Sequence, residues 1–272
     1  MKYFSKIYLV LIFGILYIPI LTLILFSFNS ANSTALFEGF SLRWYVELFN
    51  SPDTFEALRN TLILAVLSSL IATVIGTAAA EGIYKMRSKL LKGAITSVTN
   101  VPMMNPDIVT GMSMMLFFVA VAAILGVTYE DMGFFAMLIA HVTFCLPYVI
   151  LSVLPRINEL GDSLSEAALD LGCTPMQAFF KVKLPNIMPG VLSGMVMAFT
   201  MSLDDFVISY FVGSSNFQTL PLLIYSMTKK KVTPDMYALS TLIVVTIFIL
   251  LIISNIKSGK KVDNSKKAGA RK

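Results

Sequence analysis

The chain has 272 residues, 56% of them hydrophobic and 14% charged, with a mean hydropathy of +0.78 and a formal net charge of +5. No water-facing domain of this length can be built from that composition, so a soluble fold is excluded and a polytopic membrane protein is expected. The two cysteines, Cys145 and Cys173, and the single His141 fall in no CxxC or metal-ligand spacing, which leaves disulfide, zinc and haem chemistry without a basis.

Six apolar stretches predict spans near 7–28, 60–80, 101–126, 134–154, 189–212 and 236–256. Each is about 20 residues long, enough to cross a core of ~30 Å at ~1.5 Å per residue. The first follows Lys2 and Lys6 as a signal peptide would, but it runs 22 uncharged residues with no small-x-small site close behind, so it is expected to stay as a helix. In the segment 29–57, Trp44, Tyr45 and Phe49 are spaced for one helical face and suit the membrane interface. The uncharged run from Gly93 to Gly126 is too long for one untilted span, and Pro102 and Pro106 are expected to break it just before Asp107. A short turn covers 127–133. The segment 155–188 has a helical pattern, acidic residues and prolines at both edges, which makes it more than a connector. Gly190 and Gly194 form a GxxxG at the start of the fifth span, predicting close packing against a partner, such as another subunit. Residues 257–272, rich in Lys, Gly, Ser and Asn, are expected to form a disordered basic tail.

Placing both termini in the cytoplasm puts sixteen basic residues inside and five outside, with Lys229, Lys230 and Lys231 as a local exception. The positive-inside rule therefore predicts N-in and C-in, and the net charge describes an inner rim and not a nucleic-acid surface.

An ionisable side chain within a span is a functional candidate because it is costly unless paired or wet. Asp204 and Asp205 are such a pair. If the fifth span starts near Pro189, Asp204 lies about 15 residues along it, roughly 22 Å from the inner side. Neighbours on a helix differ by about 100°, so both acids cannot point into one pore. Asp204 would share a face with Thr200 and Ser193, and Asp205 with Ser202 and Ser209. Which of them faces a path stays open, as does pairing with Lys229, Lys230 or Lys231 for structure alone. Asp107 is the third intramembrane acid, placed either to line a cavity at a broken helix or simply to favour a helix N-terminus.

No phosphate-binding loop and no catalytic triad can be placed, so the chain carries no engine of its own. Glu166-Ala167-Ala168, three residues, Gly172, nine residues, Val182, one residue, then Leu184-Pro185 resembles the EAA signature of ABC-importer permeases, with Val182 where isoleucine is usual. Ser165 is a plausible N-cap, Gly172 a helix stop and Thr174-Pro175 the start of a second short helix. The stretches 103–109, 141–148, 202–207 and 220–227 resemble the C-subunit permeases of spermidine/putrescine ABC importers, and the likeness runs from the first span to the last.

This resemblance implies an all-α membrane protein with six transmembrane helices over 1–256, the type I ABC-importer permease fold with cytoplasmic coupling helices. It implies a non-catalytic subunit that imports polyamines across a bacterial cytoplasmic membrane and binds no cofactor. The implied partners are a B-type second permease, two ATPase subunits holding ATP and Mg, an external polyamine-binding protein and membrane lipid. Glu166, Ala167, Ala168, Gly172, Leu184 and Pro185 would serve ATPase coupling. Asp204, Asp205 and Asp107 would pass the cation. Trp44 with Glu47 offers an aromatic face and a carboxylate, read first as an interfacial anchor and otherwise as a contact to cargo or binding protein. Tyr225 and Tyr210 are further candidate aromatic walls, although a tyrosine near a span end is more often an interface residue. A permease for ferric iron, molybdate or a peptide is the alternative within the class, although anionic cargo fits poorly with intramembrane acids. An ion-coupled secondary transporter is the alternative outside it, and leaves the EAA spacing unexplained.

Overall fold

The computed structural model describes residues 2–31, 36–214, 217–230, 235–246 and 248. Among these the regular elements are helical, apart from an isolated bridge between Asn29 and Phe40. They are α1 (Lys2–Ser27), α2 (Arg43–Asn50), α3 (Pro52–Lys85), α4 (Lys89–Met104), α5 (Asp107–Leu125), α6 (Tyr129–Leu160), α7 (Ser163–Asp170), α8 (Pro175–Ala178), a π turn (Phe179–Lys183), α9 (Leu184–Leu203), α10 (Val207–Val212), α11 (Leu220–Lys230) and α12 (Asp235–Thr246). Five stretches are long and apolar enough to cross a membrane: Tyr8–Ser27, α3, α5, α6 and the continuous helix Pro175–Leu203. α12 begins the sixth predicted span; most of the remainder of that span, and the whole tail 257–272, lie outside the described residues.

Local signals set several boundaries. α3 opens on Pro52 and Asp53 and closes on Lys85, matching the helix dipole at both ends. Ser88 caps α4 by accepting from the Leu91 N–H, and Thr128 with Asp131 forms a capping box on α6. Pro106 ends the run that Gly93 begins, but Pro102 does not: α4 passes through it to Met104. One proline removes one ladder bond, and near the end of a helix that loss is tolerated.

The chain divides into two compact units, Leu58–Thr219 and Met1–Ala57 with Leu220–Lys272. In the larger, α6 and α9 pack along their length around a core that includes Ala140, Val149, Val153, Ile157, Ile187 and Ala198. Small residues make this approach possible. A Cβ on Gly190 would stand 2.6 Å from Arg156 Cγ and 2.9 Å from the Ser152 carbonyl, and one on Gly194 3.1 Å from Val149 Cα. The GxxxG pair is thus filled by the chain's own α6, not by another subunit. In the smaller unit, α1 is apolar and mostly exposed from Tyr8 to Leu25, and Asn29 organises the loop after it by bonding Leu36 O, Ala31 N and Glu38 N.

The fifth predicted span differs most from expectation. Its helix starts at Pro175, stays unbroken through the π turn, and ends at Leu203. Asp204, Asp205 and Phe206 interrupt it, and α10 follows as a separate short helix. The two acids therefore do not lie on one helix at a fixed angle.

Candidate functional site

Two interruptions of long apolar helices are brought together. The one between α4 and α5 falls at Asn105 and Pro106; the one between α9 and α10 falls at Asp204–Phe206. α10 packs on α5 so tightly that a Cβ on Gly111 would stand 3.0 Å from the Phe211 ring and 3.4 Å from the Val207 carbonyl. Asp107 is close enough to interact electrostatically with Asp205 and with Tyr148 of α6. His141, which contacts Ser209 of α10, belongs to the middle of α6, so the breaks sit at the depth of mid-span. Non-helical backbone at that depth is tolerated where it is buried in protein or lines a water-filled cavity.

The three carboxylates have different surroundings. Asp205 is enclosed, its side chain 6% exposed. Oδ1 accepts from the Ile208 N–H at 3.2 Å and Oδ2 from the Ser209 N–H at 2.8 Å, so the carboxylate satisfies two donors at the start of α10. His141 stands behind it, with Nε2 at 3.6 Å from Asp205 Oδ2 and 3.2 Å from Ser209 Oγ. Its Nδ1 is 2.8 Å from Ser202 Oγ, which in turn accepts from Ser68 Oγ at 2.8 Å. Each of these polar groups is buried and partnered, and the chain Ser68–Ser202–His141–Ser209 ties α3, α9, α6 and α10 together at the break. Asp204 and Asp107 are exposed instead. Phe206 and Tyr210, with rings 5.5 Å apart, and Tyr148 supply aromatic surface nearby. The arrangement offers two accessible carboxylates, Asp107 and Asp204, at the two breaks, with a third, Asp205, already occupied by the N–H groups at the start of α10. Sequence reading missed His141, whose signal was only that it is a lone imidazole in an apolar run.

The segment after α6 forms a knob. α7 begins one residue past Asp162, so Ser165 lies inside its first turn and is not the N-cap. Gly172, at φ +86, closes it: the Cys173 N–H reaches the Ala168 carbonyl and the Gly172 N–H the Leu169 carbonyl, a Schellman arrangement that a left-handed residue makes possible. Thr174 then caps α8 through a capping box with Gln177, and Pro175 takes the first position. The second helix of the knob is the first turn of the long helix Pro175–Leu203, not a separate short helix. Glu166 and Ala167 are exposed, Ala168 is buried, and Leu171, Met176 and Phe180 present 87%, 69% and 55% of their surface. Leu184 and Pro185 fall where the π turn gives way to α9.

The remaining candidates belong to the smaller unit. Trp44 is buried, and its indole N–H donates to the Asn29 carbonyl at 2.6 Å, making it a peg between α2 and the loop after α1. Arg43 lies over the same ring at 5.1 Å and 3.9 Å from the exposed Glu47. Tyr225 is half-buried beneath Lys229, whose Nζ is 4.6 Å from the ring centre.

Comparison with known proteins agrees with this architecture. Residues 72–257 match the family described as binding-protein-dependent transport system inner membrane component. The chain is 40% identical over 235 residues to the putrescine transport system permease protein PotI of Escherichia coli (strain K12), covering 86% of this chain and 83% of that protein. It is 36% identical over 253 residues to the spermidine/putrescine transport system permease protein PotC of Haemophilus influenzae, covering 93% of this chain and 95% of the relative. A chain in the crystal structure of a bacterial ABC transporter involved in the import of the acidic polysaccharide alginate superposes with a TM-score of 0.76 at 16% identity, covering 95% of each chain, which shows a shared fold. This multi-pass membrane protein belongs to the family of binding-protein-dependent transport system inner membrane components, as a homologue of the PotC and PotI permeases.

Proposed function

We propose that this chain is a permease subunit of an ATP-driven importer that moves polyamines, spermidine or putrescine, across the bacterial cytoplasmic membrane. The observation that carries the reading is the pair of exposed carboxylates, Asp107 and Asp204, at two apposed helix breaks. An extended polycation needs anionic groups to offset its lost hydration at mid-membrane and aromatic surface for its methylenes and ammonium groups. The names of the relatives point to the same cargo class.

The subunit does no covalent chemistry. Asp204 and Asp107 meet the cargo, Asp205 holds the break in shape, and both termini are cytoplasmic. A B-type permease completes the path, an external binding protein delivers the cargo, and two ATPase subunits bind ATP and Mg and dock on the knob. Leu171, Met176 and Phe180, exposed apolar side chains in the same segment as Glu166, suit such a contact.

The test is uptake of labelled spermidine and putrescine, with a neutral sugar and molybdate as controls, in cells that have no second polyamine importer, with and without this gene. Selective, ATP-dependent loss of polyamine uptake is expected without it. Unchanged polyamine uptake would remove the cargo assignment, and molybdate loss would point to an anion permease. For the dock, Glu166→Lys is expected to uncouple hydrolysis from uptake while leaving assembly intact; normal uptake in that strain would count against it.

A further inference from the structure

Glu81 ends the apolar part of α3 and Lys183 closes the π turn before α9, far apart in sequence. In the fold they form an ion pair. Lys183 Nζ lies 2.9 Å from Glu81 Oε1 and 2.8 Å from Oε2, with the two side chains 3% and 12% exposed. Lys85, one turn along α3 and mostly exposed, sets a second ammonium 3.1 Å from Oε1. The Tyr84 ring covers the buried ammonium at 4.4 Å, and Lys92 of α4 faces that ring at 5.3 Å. A buried ammonium is tolerated only when it is paired, yet a buried pair adds little stability over apolar side chains of similar size. What it adds is register, a fixed match between two particular side chains on two elements.

The elements it joins give that register a use. The knob of α7 and α8 lies immediately before the π turn, and the helix beyond runs unbroken to the Asp204 interruption. A π turn lets a helix admit an extra residue without ending, and such turns recur at functional sites. At this turn the only charged side chain that is buried, Lys183, is tied to α3.

We propose that the Glu81–Lys183 pair is a strut that carries displacement of the knob into α3, so that the coupling segment and the second span move together. The proposal rests on the knob being the ATPase dock. Glu81 and Lys183 are positioning residues, since they hold one moving part to another and touch neither cargo nor nucleotide.

The test uses the whole transporter in proteoliposomes, this chain with its partner permease, ATPase subunits and binding protein, spin-labelled at exposed Val74 of α3 and Ile124 of α5. In the unmodified complex, trapping with ATP and vanadate is expected to change the distance between the labels; no change would overturn the strut. The double variant Glu81→Gln with Lys183→Met removes both charges together. It is expected to assemble and hydrolyse ATP, to lose the distance change, and to move roughly tenfold less spermidine per ATP, the scale on which coupling residues act. An unaltered distance response and transport ratio in that variant would overturn the proposal. Should it fail to assemble, Glu81→Asp keeps both charges and withdraws the carboxylate by one methylene: a weakened distance response supports the strut and an unchanged one overturns it. Lys85→Met, removing the exposed arm, is expected to leave the response intact. Failure of the underlying reading looks different. An unmodified chain that holds no ATPase subunit overturns dock and strut together, whereas a distance response without spermidine transport removes the cargo and supports the strut.

Discussion

The two ends of α9 depart from regular helix in opposite ways. At its start, a π turn adds a residue without breaking the helix, and of its two lysines Lys181 is exposed while Lys183 is buried and paired. At its end, Asp204–Phe206 break the helix outright, and one of the two charges there is left exposed. The difference follows from what each end has to satisfy. The break frees the N–H groups of Ile208 and Ser209 at the start of α10, and the Asp205 carboxylate takes them up. At the π turn the helix stays continuous, and the buried one of its two lysines is bound by a carboxylate from α3. One end joins two helices through a buried ion pair, and the other leaves a carboxylate, Asp204, exposed at an interruption.

Substitutions that separate the two ends should differ in size. The largest effect is expected for Glu81→Ala, which strands Lys183 without its carboxylate and should cost about 3–5 kcal/mol. Lys183→Ala should cost less, because Glu81 keeps Lys85 at 3.1 Å. Thermal unfolding of the purified complex checks the order; equal losses would mean that Lys85 does not compensate. Next comes Gly190→Leu, which forces a side chain into the space of Arg156 and Ser152 and should cost about 1–3 kcal/mol, read the same way. At the break, His141→Phe removes both ring nitrogens and leaves the Ser202 and Ser209 hydroxyls to find other partners, at a cost of about 1–3 kcal/mol. If instead it proves neutral, the four-helix tie is weaker than its geometry implies. The smallest is Trp44→Phe, which loses one hydrogen bond to Asn29 and should lower stability by about 1 kcal/mol.

How much of this could be read in advance varies between the ends for physical reasons. The knob was legible, because Gly172, Thr174 and Pro175 are local signals whose backbone demands do not depend on the rest of the fold. The Pro106 break was legible for the same reason, whereas Pro102 looked equivalent and is absorbed within α4. The second break was not. Ser202-Leu203-Asp204-Asp205-Phe206-Val207 holds no glycine or proline, and the interruption is set by His141, 61 residues from Ser202, and by Asp205 turning back on α10. Glu81 and Lys183 are 102 positions apart, and each reads alone as an ordinary inner-rim charge. The GxxxG pair announced close packing without saying against which helix, and α6 supplies it.

The most direct test sets Asp204→Asn beside Asp205→Asn. Both remove one charge at the break, but only Asp205 accepts from the backbone of α10. Spermidine uptake and the thermal stability of the complex would be measured together in each. The expected result is that Asp204→Asn loses most uptake at unchanged stability, while Asp205→Asn lowers stability by about 1 kcal/mol as a weakened cap does. Full uptake with Asp204→Asn, or an Asp205→Asn complex as stable as the unmodified one, would contradict the division of the two acids into one that meets the cargo and one that holds the break.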